Sequence, residues 1–195
     1  NRAIAEWPTK GRQSADYVLF GGLTPVAAVE AKRQYVNVSG KISQAERYAR
    51  GFVQGKDHEP AWRVAGRADP WPDGQGGHFE LPFVYSSNGR AQVKQLAELS
   101  GTWHRDVREP SNTSRSLPGF HSPDGLIDLL TRSREAAQQR LKDEGFGYLR
   151  LRDYQNAAIL AVESAIGNGQ TDCLVAMATG TGQTRTIIGV MYRVL

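Results

Sequence analysis

Residues 16–32 read DYVLFGGLTPVAAVEAK, two short β-forming runs at 16–20 and 25–31 joined by the turn-forming GGLT. They read as adjacent strands. Asp16 opens the first run. Glu30 and Lys32 end the second with one residue between them, so strand alternation sends both side chains to one face. Asp16, Glu30 and Lys32 can therefore converge. Two carboxylates so placed can hold a hard cation such as Mg²⁺ through oxygen ligands. An adjacent ammonium can orient or help deprotonate an attacking water and offset charge developing on a phosphorane. Taken alone, this spacing is equally that of solvated charges collected at exposed strand ends.

The next segment adds to it. From Lys41 to Gln54 the positions Ile42, Ala45, Tyr48, Ala49 and Phe52 recur at steps of three and four, which predicts a helix. Gln44 and Tyr48, four residues apart, share a face of that helix and can lie against the same strands. An amide and a phenol there can also simply pack and hydrogen-bond against a sheet.

Asp16, Glu30-Ala31-Lys32 and the Gln44 to Tyr48 helix together resemble the PD-(D/E)xK nuclease core in its RecB-like form. More narrowly, DYVLF, VEAKRQ, QAERYA and PFVYSSNGR are similar to the restriction and motor subunit of type I restriction enzymes, nearest its EcoEI-like branch. The resemblance implies an α/β fold with a restriction-endonuclease-like core followed by the beginning of a RecA-like P-loop domain. It implies that Asp16 and Glu30 bind catalytic Mg²⁺, that Lys32 completes the site, and that Gln44 and Tyr48 support it or position DNA. A further helical carboxylate usual in this nuclease fold is Glu6, or lies before Asn1.

The stretch 57–77 has no periodicity and reads as a long loop; LPFVYSSNG then supplies a strand, and RAQVKQLAEL a further strand or short helix. Residues 100–125 are rich in Pro, Gly and Ser and suggest a surface crossing or domain boundary. Residues 122–132 and 133–144 read as short connecting helices. The reading is thus an endonuclease domain over 1–115, a connector over 116–147 and the start of a motor domain over 148–195.

In that last part, DYQNAAILAVESAIGNG is an Asp-started helix, DCLVAM a buried-type strand, and Met177 to Thr184, MATGTGQT, a glycine loop leading into a final helix. Backbone N–H groups and a helix N-terminus in such a loop can cradle phosphates. The loop resembles the superfamily 2 helicase Walker A motif, which implies ATP contacts from Thr179, Gly180, Thr181, Gly182, Gln183 and Thr184. Gln183 stands where that motif has its lysine, so a neutral amide replaces the cation that reaches the β- and γ-phosphates. ATP turnover should be severely weakened, with weak nucleotide binding retained. Upstream, LRDYQ at 151–155 resembles the adenine-reading segment, with Gln155 its base-pairing amide; an ordinary helix start capped by Asp153 is the alternative.

Composition sets wider bounds. At 195 residues the chain holds one core and part of another, given domains of roughly 100–150 residues. The start at Asn1 and the end at Leu195 inside an apolar pattern suggest a piece of something longer. A net charge of +4 and pI near 9.3 favour polyanionic partners. One cysteine, Cys173, excludes an internal disulfide and reads as a small core residue. His58, His78, His104 and His121 read as surface residues, and Trp62, Trp71 and Trp103 as loop anchors. No apolar run approaches the roughly 20 residues of a membrane span, which favours a cytoplasmic protein with no membrane partner.

The function expected from all this is Mg²⁺-dependent cleavage of double-stranded DNA, coupled in the parent to ATP-driven translocation, with methyltransferase and specificity subunits as partners. The alternatives are an impaired nucleic-acid or nucleotide binding module and a RecB-like repair nuclease.

Overall fold

A computed structural model describes residues 1–132 and 134–194, which divide into two compact units, Asn1–Thr131 and Arg132–Leu195. The first unit is built on a six-stranded sheet. Its strands are β1 (Arg2–Thr9), β2 (Gln13–Gly21), β3 (Thr24–Ala31), β6 (Phe83–Ser87), β7 (Thr102–Asp106) and β8 (Arg115–Ser116), in that spatial order. Every pairing is antiparallel except β3 with β6. A parallel pair needs a long crossover, and here it contains the helices α1 (Ile42–Gly51) and α2 (Ala61–Val64) and the two-residue hairpin strands β4 (Trp71–Pro72) and β5 (His78–Phe79).

Strand β3, TPVAAVEA, is buried up to Glu30, as expected of a central strand covered on both faces. One face is covered by α1, whose Ala45, Tyr48 and Ala49 are buried in the core with Val18, Ala28 and Val84. The other carries α3 (Pro123–Thr131), which packs Leu126 and Leu130 into the same core. The sequence places that helix in a connector between domains. Its apolar stripe makes it part of the first unit instead.

Other expectations are corrected here. Residues 2–9, left unassigned, form the edge strand β1, registered on β2 from Arg2↔Phe20 to Thr9↔Gln13. Residues 100–125, whose composition suggests a surface crossing or domain boundary, contain β7 and β8, and the 91–100 segment has only a 3₁₀ turn at Ala97–Leu99. Trp71 is buried in the core, as a loop anchor should be.

The second unit holds α4 (Arg134–Asp143), α5 (Asp153–Gly167) and α6 (Gln183–Val194), with α5 packed on both of the others. The expected strand at 172–177 is absent, Leu174 is 96% exposed, and Cys173 is exposed rather than buried. Among the described residues of this unit no other extended segment offers a ladder for it to join.

Candidate active site

Strand geometry assembles the first group of candidates. The pair Tyr17↔Val29 sets Asp16 beside Glu30 on neighbouring strands, and Asp16 Oδ2 accepts a hydrogen bond from the Ala31 amide at 2.7 Å. Asp16 thus lies inside β2 rather than at its start. Glu30 sits on the α1 face of β3 at 0% exposure, and Lys32, just beyond the strand end, forms an ion pair with it. Its polar neighbours are Lys32 and the Tyr48 hydroxyl, and neither Glu30 oxygen has a backbone donor.

Helix α1 supplies the rest. Gln44 donates from Nε2 to the Tyr48 hydroxyl at 2.8 Å, which fixes the phenol one helical turn along the same face. Burial pushes the Tyr48 hydroxyl above its ordinary value. The Gln44 bond works the other way, and the nearby Glu30 and Asp16 carboxylates raise it further. The Lys32 ammonium is likewise raised, chiefly by its bond to Glu30, against an opposing effect of burial, with Asp16 and Tyr48 adding to the rise. Asp16, Glu30, Lys32, Gln44 and Tyr48 therefore form one interacting group, four of them on β2, β3 and α1 and Lys32 just past the end of β3.

A wholly buried carboxylate with an ammonium and a phenol as its polar neighbours and no backbone donor still lacks partners for most of its lone pairs. That is the fit a hard cation needs, since Mg²⁺ takes one or two carboxylates and keeps several waters. No group of three or more His, Cys, Asp or Glu that could hold a metal occurs among the described residues. Asp16 and Glu30 would share a cation with solvent. Glu6 does not join them: it lies in β1, not in a helix, exposed and at a strained φ of 53°.

A second cluster went unread in the sequence. His104 is 4% exposed on β7, opposite Tyr85 of β6, and its ring lies 4.8 Å from that of His121. Tyr85 Oη and His121 Nδ1 are 2.5 Å apart. The sequence reads as placing the histidines at the surface; His104 is instead buried, on a strand whose few apolar positions give no alternating signal. Burial lowers it to about 4, with neighbouring His121 adding to the effect, Asp106 opposing it, and Arg115 and Arg108 lowering it further. The unfolded chain takes up this proton near the ordinary 6.5, and the fold refuses it until about 4. Stability of the first unit should therefore rise with pH between those values. Urea unfolding at both ends of that window should show the slope, and His104→Phe should flatten it.

The glycine-loop candidates meet at the start of α6. Gly180 and Gly182 take φ of 80° and 82°, a backbone only glycine adopts freely. Gln155, buried at the start of α5, accepts from the Arg152 amide and donates to the carbonyls of Thr181 and Gly182 at 3.2 Å. It caps the helix from inside, where Asp153 was the alternative. Thr181 bonds the Ala178 carbonyl, and Gln183 donates from Nε2 to the Met177 carbonyl at 2.6 Å. Thr179 and Thr184 are exposed.

Comparison with known proteins locates the chain. Residues 1–130 match the family described as type I restriction enzyme EcoKI endonuclease subunit second domain, and residues 148–195 match type III restriction enzyme, res subunit. The type I restriction enzyme EcoKI endonuclease subunit of Escherichia coli (strain K12) is 42% identical over 100% of this chain and 18% of its own length. The EcoAI endonuclease subunit of Escherichia coli is 27% identical over 93% of this chain and 19% of its own. The chain thus spans about a fifth of the curated relatives it matches. The sequence motifs point to the EcoEI-like branch, whereas the matching family carries the EcoKI name. No solved structure matches. With a family match over residues 1–130 and 42% identity across the whole of this chain, the chain belongs to the endonuclease subunits of type I restriction enzymes.

Proposed function

We propose that the first unit is a PD-(D/E)xK nuclease that cuts double-stranded DNA with Mg²⁺ held by Asp16 and Glu30. The observation that carries this reading is the fully buried Glu30 carboxylate, without a backbone donor, set beside Asp16 and Lys32. When bound, the cation polarises the scissile phosphate and lowers the pKa of a water. The chain's own residues do the rest. Asp16 is held by the Ala31 amide, Lys32 brings a positive charge to where the phosphorane becomes more negative, and Gln44 fixes the Tyr48 hydroxyl against the same carboxylates. Titration with Mn²⁺ followed by calorimetry should show a single site whose affinity falls roughly tenfold or more in Asp16→Ala. Equal affinity in both would remove the metal site.

The second unit, on this reading, begins a RecA-like motor that in the parent couples ATP hydrolysis to DNA translocation, within a complex with methyltransferase and specificity subunits in the cytoplasm. The loop around Gly180 and Gly182 offers backbone for phosphates, with Thr184 at the position for Mg²⁺ and Gln155 at the position for adenine. Gln183 supplies no cation, and its amide is spent on the Met177 carbonyl. A full-length parent carrying Gln183 should therefore turn over ATP far more slowly than its Gln183→Lys form, by at least about a hundredfold, while both bind nucleotide. Equal turnover in a phosphate-release assay would contradict the role given to position 183. That bond also favours an impaired nucleotide-binding role for the second unit as it stands.

A further inference from the structure

Strand β3 runs straight from Glu30 and Lys32 into residues 33–41, RQYVNVSGK, a segment with two cations and no acidic residue. Exposed loops are ordinarily mobile, yet this one is fastened at closely spaced points to the end of β6. The Lys32 amide donates to the Ser87 carbonyl at 2.8 Å. Buried Ser86 donates from Oγ to the Val38 carbonyl at 2.7 Å. Asn88, also buried, donates from Nδ2 to the Val36 carbonyl at 2.7 Å and the Gln34 carbonyl at 3.3 Å, and its Oδ1 accepts from the Arg90 amide. Arg90 reaches back from Nη1 to Asn37 Oδ1 at 3.2 Å, and Val38 is buried. SSNGR, a motif with no part in the metal site, is the clamp.

What the clamp presents is specific. Tyr35 is 71% exposed, a large aromatic held out from the fold, and its hydroxyl accepts from Arg33 Nη1 at 3.1 Å. Arg33 and Lys41 are exposed, and among the described residues neither they nor Arg90 forms an ion pair with a carboxylate. Cations left unpaired on a preordered loop one residue from Lys32 suit an anionic chain that runs past the site, and DNA phosphates are such a chain.

We infer that residues 33–41 form the DNA-backbone contact of the first unit, with Arg33 and Tyr35 touching the strand beside the scissile phosphate and Asn88 as the positioning residue that holds the loop. The inference rests on the nuclease reading above. Arg33 hydrogen-bonds phosphate oxygens, and Tyr35 covers the adjoining sugar face. The clamp removes loop entropy that would otherwise oppose binding.

The test is fluorescence anisotropy of a labelled DNA duplex with this chain over a range of salt, without any divalent cation, so that neither cutting nor the metal site enters. Arg33→Gln should weaken binding roughly tenfold and lower the salt slope by about one counterion. Tyr35→Ser should weaken binding with the slope unchanged. Asn88→Ala should reproduce the Arg33 loss by releasing the loop, with retained thermal unfolding showing that the sheet is intact. Lys56→Gln, beyond the opposite end of α1, should change neither. Undetectable binding by the unaltered chain, or an Arg33→Gln protein with unchanged affinity and slope, would overturn the inference. Cutting that survives Asp16→Ala would instead overturn the nuclease reading and leave these affinities interpretable.

Discussion

Glu30→Gln should abolish DNA cutting, by on the order of a thousandfold, while leaving the first unit as stable as before or more so in the absence of divalent cation. The two halves of this prediction come from one observation. Glu30 is fully buried with no backbone donor at its oxygens, so its charge costs the fold free energy that Lys32 and the Tyr48 hydroxyl only partly offset. An amide of the same shape is neutral, so what remains is the cost of a buried polar group short of partners, about 1–3 kcal/mol, in place of the larger cost of a buried charge. Lys32 does not become a stranded charge, because its side chain is 29% exposed and can turn to water. Residues kept for packing lose stability when changed. A residue kept for chemistry can lose activity and gain stability. Thermal unfolding and plasmid cutting on the same preparation measure both, and a Glu30→Gln protein that melts well below the unaltered one would show that the carboxylate is structural.

The second large effect lies in the other unit. Arg193→Ala should destabilise residues 132–195 by about 3–5 kcal/mol, the usual cost of stranding one member of a buried ion pair. The Arg193 side chain is 0% exposed. It bonds Glu163 from Nε and Nη2 at 2.5 and 3.2 Å, donates to the Glu144 and Leu141 carbonyls at 3.0 and 2.5 Å, and lies 4.2 Å over the Phe146 ring. One guanidinium thus joins the end of α4 to α5 and α6. Removing it leaves a nearly buried Glu163 without a countercharge and two carbonyls without this donor. A unit of this size has little stability to spare. Hydrogen exchange should show protection lost across α5 and α6 and kept in the central strands of the first unit. Arg193→Lys should recover only part, since an ammonium carries three donors on one atom and cannot reproduce the two-point fork to Glu163 while reaching both carbonyls.

The parts that could be read from the sequence share a reason. Asp16, Glu30, Lys32, Gln44 and Tyr48 fall within 33 consecutive residues on strand, strand and helix, where period 2 and period 3.6 alone decide which side chains meet. β1 escaped notice because RAIAEWPT carries a proline and charges at alternating and non-alternating positions, and is a strand only through pairing with β2. β7, TWHRD, was hidden among turn-forming neighbours, and its buried face is Thr102 and His104, polar types that periodicity of apolar residues does not detect. The opposite error, a strand at 172–177, shows the same dependence: an apolar run is a strand only where a ladder exists to receive it. The clamp of Ser86, Asn88 and Arg90 on residues 34–38 joins positions about 50 residues apart, and nothing local in SSNGR announces it.

The measurement that bears most directly on the central claim is nicking of supercoiled plasmid by this chain and by a full-length parent, with and without Mg²⁺, each beside its Asp16→Ala form. The account predicts Mg²⁺-dependent nicking that Asp16→Ala abolishes. A parent that nicks equally well without the Asp16 carboxylate would contradict it.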